Sequence, residues 1–263
     1  MPSRLKFFAV LLAVPLAAPA VHADLVASWG FQGTLNSDIG GAALTSFDPL
    51  GQNSFTTTTL YGQQRQVYSM FGSQGAGNNA GLVLDAPSFI SNNSSYSLEI
   101  LFSQTNAPNT NGWRKIYDNS NLTQDQGLYV APSSHMTYYS SGGPGTATIA
   151  DNTFYNVILT FNGLTNAGNV YVNGVFDSSF TSVDPAISNN TIPLSFFMDD
   201  SATSHGEFTD ASVGLIRMWN SELSGADVSN IETNPFAPAP EPASIAALGL
   251  GIAALVARRR RSE

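Results

Sequence analysis

Short stretches in which apolar and polar residues alternate recur along the chain from residue 24 to about residue 234. In the stretch 96–103 apolar residues occupy every second position from Tyr96, with Ser97 and Glu99 between them, and 155–161 shows the same pattern. A period of two indicates β-strands that bury one face. Further stretches that read as strands are 25–31, 127–130, 136–139, 194–198 and 213–219.

One tight hairpin and one short helix complete this pattern. The dipeptide Asn173-Gly174 separates the apolar runs 170–172 and 175–176, and both residues tolerate the positive φ of a type I′ turn. The segment 224–232 reads as a helix, with Ser224 as N-cap and Asp227 three residues later. The sequence therefore predicts an all-β fold, a sandwich of two antiparallel sheets in one domain, followed by a short helix.

Charge and cysteine content exclude several classes of function. Between residues 24 and 240 there are four Lys or Arg side chains against seventeen carboxylates, a net charge of −13. Because nucleic-acid binding depends on a basic surface, we expect no nucleic-acid partner. The chain has no cysteine and three histidines, so neither a disulfide framework, a thiolate zinc site nor a cysteine nucleophile is available.

Residues 1–23 have the organisation of a signal peptide. Arg4 and Lys6 precede an apolar stretch, and the small residues of 21–23 form a cleavage signal ending at Ala23. An N-terminal membrane anchor is the alternative, but it needs about 20 apolar residues and Pro15 interrupts the run. We expect signal peptidase to cleave after Ala23.

The C-terminal segment has three parts. The motif Pro240-Glu241-Pro242 closes a proline-rich spacer at 235–242, an apolar segment follows at 243–257, and 258–263 is a basic tail that contains Arg258, Arg259, Arg260 and Arg261. The apolar segment predicts a membrane-spanning anchor helix with its basic tail in the cytoplasm. The arrangement resembles the PEP-CTERM sorting signal of Gram-negative bacteria, which an exosortase cuts. The resemblance implies export through the inner membrane to the cell surface or extracellular matrix. A plain single-pass anchor is the alternative.

Five segments of the body resemble laminin-G-like, concanavalin-A-like jelly rolls. The opening strand 27–31, the strands 113–118 and 127–130, the segment 154–175 with its Tyr-Val-Asn-Gly sequence, and the closing strand and helix 214–228 carry the likeness. The resemblance implies that residues 24–234 form one jelly-roll domain.

Glycosidases that share this jelly roll resemble one another in a run of alternating acidic residues, Glu-x-Asp-x-Glu, along one strand. A retaining enzyme needs two carboxylates about 5–5.5 Å apart. Glu occurs in the body only at 99, 207, 222 and 232, and none of these has such neighbours. A serine hydrolase of the Gly-x-Ser-x-Gly type is also excluded, because the motif is missing. We therefore predict that the protein is not an enzyme.

Calcium is the candidate cofactor, because the body is rich in oxygen ligands. Asp199, Asp200, Glu207 and Asp210 follow one another closely after a predicted strand, and laminin-G-like domains often bind calcium at a loop rim. Gly214 stands where those domains usually have an acidic residue, which departs from the family pattern. The alternative is that these carboxylates only keep the surface soluble.

Trp113 is the candidate residue for stacking against a sugar ring. It follows the polar turn 103–112, where Asn111 can supply an amide, and few apolar residues in that sequence could cover the indole. Tyr138 and Tyr139 are the further candidates. The alternative is that Trp113 caps the edge of the sandwich.

These features leave two classes of function. The first is a non-catalytic, surface-sorted protein whose jelly roll binds carbohydrate or a matrix protein in the extracellular polysaccharide or biofilm layer. The second is a passive structural protein of the envelope or matrix that has no specific ligand.

Overall fold

The computed structural model describes residues 23–73, 77–85, 95–105, 112–181 and 192–237. These ranges hold two antiparallel β-sheets and one helix, which confirms the all-β sandwich. The predicted leader up to residue 22, Asn111, the sorting motif Pro240-Glu241-Pro242, the apolar segment and Arg258–Arg261 lie outside them. In the ranges described, no helix is long and apolar enough to span a membrane.

The strands, in chain order, are β1 Leu25–Trp29, β2 Thr45–Phe47, β3 Ser54–Leu60, β4 Gln63–Met70, β5 Gly81–Leu84, β6 Tyr96–Gln104, β7 Arg114–Asp118, β8 Gly127–Val130, β9 Met136–Tyr139, β10 Tyr155–Asn162, β11 Ala167–Val172, β12 Val175–Thr181, β13 Leu194–Phe196 and β14 Ala211–Trp219; the helix α1 is Gly225–Thr233. The larger sheet has the order β12-β11-β10-β6-β14-β4-β3, with β1 also paired to β14. The smaller sheet has the order β2-β5-β13-β7-β8-β9.

The hydrophobic core lies between the two sheets and follows from the alternation seen in the sequence. Leu98, Ile100 and Phe102 of β6 point inward and are buried against residues such as Leu128 and Phe196 of the smaller sheet. Glu99 and Leu101 point to the opposite face of β6, because neighbouring residues of a strand alternate sides. Both faces of β6 are buried, so the outer face of the larger sheet is covered as well.

Helix α1 and the residues after it cover part of that outer face. Val228 of the helix packs on Ile158 and Trp219, in a small apolar cluster separate from the main core. Ser224 caps the helix, and its side chain and that of Asp227 form the reciprocal capping box that the sequence predicts. The helix is therefore anchored at its start and along its buried side.

The predicted hairpin turn is confirmed. Asn173 and Gly174 have φ values of 49° and 75°, and they join β11 to β12 with Val172 opposite Val175. Gly174 also lies under helix α1, where a Cβ atom would come within 2.8 Å of the Glu232 side chain. Glycine at this position thus serves both the turn and the packing of the helix.

The packed body extends beyond the predicted boundary at residue 234. Pro235 is buried, and the ring of Phe236 lies 3.9 Å from the guanidinium carbon of Arg65 and edge-on to Tyr61. The amide of Ala237 donates to the carbonyl of Asn234. Three residues that the sequence assigned to the spacer 235–242 consequently belong to the folded domain.

Candidate functional site

Trp113 lies immediately before β7 and contacts two tyrosines from the next two strands. Its ring is edge-on to Tyr129 of β8 and to Tyr139 of β9, with ring centroids 5.7 Å apart in both cases. Tyr129 and Tyr139 are 6.1 Å apart. We call these three residues the aromatic cluster. Strand pairing therefore brings two rings against part of the Trp113 indole, which the polar turn before it does not supply.

The three rings differ in their exposure to solvent. Tyr129 is fully buried and forms the floor of the cluster, whereas Tyr139 is 37% exposed and Trp113 is partly exposed. The other two tryptophans, Trp29 and Trp219, are buried. The cluster thus presents two aromatic rings at one corner of the smaller sheet, held in place by a third.

Tyr138, which the sequence suggested as a binding residue, is part of the core. It is 1% exposed, and its ring stacks on Phe180 with centroids 3.8 Å apart and an interplanar angle of 7°. Its hydroxyl accepts a hydrogen bond from Asn119. Tyr138 and Tyr139 are adjacent on β9 and therefore point to opposite faces, so only one of them can reach solvent.

Three of the four carboxylates suggested for calcium, those of Asp199, Asp200 and Asp210, are each engaged by a different group of the protein. Asp199 Oδ2 accepts from the Thr203 hydroxyl at 2.7 Å and the Glu207 amide at 2.8 Å, and Asp210 Oδ1 accepts from the Gly72 amide at 2.8 Å. Asp200 is paired with a lysine, as described next. Across the described ranges, no three His, Cys, Asp or Glu side chains are grouped to hold a metal ion. The structure does not gather Asp199, Asp200, Glu207 and Asp210 into one site.

A buried lysine lies beneath the aromatic cluster. Lys115 Nζ is 2.7 Å from Asp118 Oδ2 and 2.5 Å from Asp200 Oδ2, and all three side chains are inaccessible to solvent. The amine also lies 5.1 Å from the centre of the Tyr129 ring, and the Tyr129 hydroxyl oxygen is 3.3 Å from Asp200 Oδ2. We call Lys115, Asp118, Asp200 and Tyr129 the lysine cluster. Burial alone would lower the pKa of Lys115, but the two carboxylates outweigh burial and raise that pKa.

The sequence analysis missed the lysine cluster because its members come from distant parts of the chain. Lys115 and Tyr129 are directly opposite each other on β7 and β8, whereas Asp200 comes from the loop after β13. One signal was available: Lys115 is one of only four cationic side chains between residues 24 and 240, and it lies in a strand with apolar neighbours. A lysine in such a position requires a buried partner.

A second buried ion pair lies on the outer face of the larger sheet. Glu99 and Arg217 face each other on β6 and β14, with Arg217 Nε 2.6 Å from Glu99 Oε2. The Asn156 amide donates to both Glu99 and Glu232 at 2.9 Å. Glu99 is fully buried, and burial raises its pKa despite the opposing effect of Arg217. The network links the sheet to helix α1 through Glu232.

A cavity of about 360 Å³ lies at the edge formed by β10, β11 and β12, and none of the three residues of the aromatic cluster lines it. Its lining is mostly hydroxyl and amide side chains such as Asn169 and Ser179, and its one aromatic residue, Phe180, is 4% exposed. The cavity thus offers hydrogen-bonding groups but little accessible aromatic surface, whereas the aromatic cluster offers two accessible rings.

Two family matches cover most of the chain. The sequence model described as the concanavalin A-like lectin/glucanases superfamily matches residues 76–229, a range that includes the aromatic and lysine clusters. The PEP-CTERM protein-sorting motif matches residues 238–261. No curated protein matches the chain in sequence.

Several solved structures have a similar fold. Domain 4 of AbnA, a GH43 extracellular arabinanase from Geobacillus stearothermophilus, in complex with arabinotriose, has a TM-score of 0.58 and 14% identity over 80% of this chain and 98% of that one. The botulinum neurotoxin serotype C1 binding domain has a TM-score of 0.55 and 14% identity, over 81% and 52%. The binding domain of botulinum neurotoxin DC in complex with SialylT has a TM-score of 0.53 and 13% identity, over 80% and 50%. This chain spans about half of each neurotoxin chain, and these likenesses establish the fold alone.

Proposed function

Since the chain belongs to the concanavalin A-like lectin/glucanases superfamily, we propose that it binds carbohydrate through the aromatic cluster without catalysing a reaction. The PEP-CTERM motif marks it as an exported, exosortase-processed surface protein. The ligand we propose is a polysaccharide of the extracellular layer in which such a protein resides. A matrix protein is the alternative ligand.

The observation that carries the proposal is the pair of accessible rings, Trp113 and Tyr139, supported from below by Tyr129. The apolar face of a sugar ring can stack on an indole or phenol, and a comparable stacking contact with a nucleic-acid base contributes about 1–3 kcal/mol. Rings packed edge-on restrain one another, so little side-chain entropy is lost when a ligand binds. Tyr129 adds to this effect, because its hydroxyl is hydrogen-bonded to Asp125 at 2.9 Å.

The similar structures support carbohydrate as the class of ligand. One of them was solved with arabinotriose and another with SialylT. The binding domain of botulinum neurotoxin DC was also solved with rat synaptotagmin II, which is why a protein ligand is retained as the alternative.

Enclosed carboxylates support the non-catalytic part of the proposal. Asp118 and Asp200 both contact Lys115 and are inaccessible, and Glu99, which shares Asn156 with Glu232, is also fully buried. A glycosidase requires two carboxylates that both reach the scissile bond. In the described part of the chain, neither the pair Asp118 and Asp200 nor the pair Glu99 and Glu232 can place two carboxylates on a bound substrate.

A glycan-array screen of the purified protein, with and without calcium, tests the proposal. We expect binding to a defined group of glycans, and Trp113→Ala and Tyr139→Ala should each weaken it about 5-fold to 150-fold, which corresponds to about 1–3 kcal/mol. Phe176→Ala is the matched control, because Phe176 is an aromatic residue 54% exposed on β12. If the protein binds no glycan on the array, a passive structural protein is favoured. If binding requires calcium, the carboxylates at 199–210 become candidates for a calcium site again.

A further inference from the structure

The lysine cluster has the composition of a reaction centre as well as that of an ion pair. A primary amine lies in contact with two carboxylates, one from its own strand and one from a loop 85 residues further along the chain. None of the three side chains is accessible to solvent. Enclosure of this kind keeps water from hydrolysing an acyl bond once it has formed.

We propose that Lys115 and Asp200 become joined by an isopeptide bond, an amide between Nζ of the lysine and Cγ of the aspartate. The bond would be a modification of the folded protein that its own residues promote. It is independent of the proposed carbohydrate binding, because the reacting atoms are enclosed and cannot reach a ligand.

The reaction balances without any added reagent. Lys115 is an ammonium group, so the first step is transfer of one proton to Asp118. The Nζ lone pair then attacks Asp200 Cγ, and the bond from Cγ to Oδ2 breaks. Oδ2 leaves as water, carrying the proton from Asp118 and a second proton from Nζ. One hydrogen remains on the amide nitrogen, and Asp118 returns to its carboxylate form.

Hydrogen bonds around Asp200 suit this sequence of steps. Oδ1 accepts from the backbone amides of Ala202 at 2.8 Å and Thr203 at 3.2 Å. Two such donors stabilise the negative charge that Oδ1 carries in the tetrahedral intermediate, in the manner of an oxyanion hole. Oδ2, the leaving oxygen, faces Lys115 and the Tyr129 hydroxyl.

Asp118 is better suited to act as the base than as the acceptor. Its Oδ1 accepts from the amides of Ser120 and Leu122, both at 2.9 Å, and its Oδ2 accepts from the Ser120 hydroxyl at 3.0 Å. These bonds hold the carboxylate in place with Oδ2 2.7 Å from Lys115 Nζ, within reach of the proton that it receives. An amide between Lys115 and Asp118 would close a small ring within one strand, whereas Asp200 comes from another part of the fold.

The cross-link would tie β7 to the loop after β13. It would restrict the unfolded chain as a disulfide does, in a protein that has no cysteine. It would also hold Lys115 beneath Tyr129, the floor of the aromatic cluster. The expected result is a binding surface that keeps its geometry outside the cell.

Intact-mass spectrometry of the purified wild-type protein under denaturing conditions tests the proposal. We expect a mass lower than that of the processed sequence by one water molecule. Tandem mass spectrometry of a digest should then identify a branched peptide that joins Lys115 to Asp200. Asp200→Ala and Lys115→Met should restore the full mass, and Asp118→Ala should slow or prevent the loss of water. Asp151→Ala is the matched control, because Asp151 pairs with Arg114, the neighbour of Lys115 on β7. This variant should still lose one water molecule.

The wild-type mass decides the question even if a variant fails to fold. A wild-type mass with no loss of water would overturn the proposal. A branched peptide that joins Lys115 to Asp118 would overturn the choice of Asp200 as acceptor.

Discussion

Replacing Arg217 by methionine removes the only cationic partner that the structure shows for Glu99. Methionine keeps most of the apolar length of the arginine side chain, so packing on β14 changes little. What changes is the environment of the Glu99 carboxylate, which is fully buried and would retain only the hydrogen bond from Asn156. A buried carboxylate without a charged partner must either remain ionised at a cost or take up a proton.

The expected loss is about 3–5 kcal/mol of unfolding free energy, the usual cost of breaking a buried pair by removing one partner. In a domain of this size, each kcal/mol lowers the melting midpoint by about 2–4 °C, so the midpoint should fall by about 6–20 °C. The double variant Glu99→Met/Arg217→Met should recover most of the loss, because it leaves no buried charge unpaired.

Urea denaturation followed by circular dichroism measures the effect. Arg114→Met is the matched control, since its partner Asp151 is 32% exposed and can be solvated, and the expected loss there is at most about 1 kcal/mol. If Arg217→Met costs no more than Arg114→Met, or if the double variant is as unstable as Arg217→Met, the assignment of Glu99 as a buried charge is wrong.

Two further predictions follow from burial. Burial raises the pKa of Asp199 and of Asp210, so the folded state holds their protons more tightly than the unfolded state does. The resulting stabilisation is fully present below the ordinary carboxyl pKa of about 4. It is lost as pH rises through the raised pKa values of the folded state. The thermal melting midpoint should therefore fall as pH rises from about 4 to 7, and it should fall less steeply in Asp199→Asn. If the midpoint changes with pH equally in the wild type and in Asp199→Asn, the raised pKa of Asp199 is contradicted. Tyr138→Ala should cost about 3–5 kcal/mol in chemical denaturation because its ring is stacked in the core, whereas Tyr139→Ala should cost less than about 1 kcal/mol; similar losses would refute the opposite orientations of the two side chains.

Local patterns in the sequence predicted much of the fold. The alternation in 96–103 and 155–161 corresponds to β6 and β10, and Asn173-Gly174 and Ser224 act as the turn and cap they indicated. These features depend on residues close together in the chain, so their physical signals are readable without the structure.

The candidate site was less predictable, because it depends on contacts between strands. Which of Tyr138 and Tyr139 faces the core is set by the register of β9 against β8, and the sequence alone does not fix that register. Asp199 and Asp200 have the sequence position of loop ligands for calcium, but the Asp200 side chain is buried and paired with Lys115 of β7. Trp113 was identified correctly as a partly exposed residue, although the tyrosines beside it come from β8 and β9.

A fluorescence titration tests the central claim, that carbohydrate binds at the aromatic cluster, most directly. Of the three tryptophans only Trp113 is partly exposed, since Trp29 is 0% and Trp219 is 4% exposed. A polysaccharide selected on the array should change the tryptophan emission of the wild-type protein in a saturable manner, and Trp113→Phe should abolish that change. The claim would be contradicted if Trp113→Phe showed an emission change of equal size and affinity. It would also be contradicted if no glycan that the protein binds on the array changed the emission of the wild-type protein.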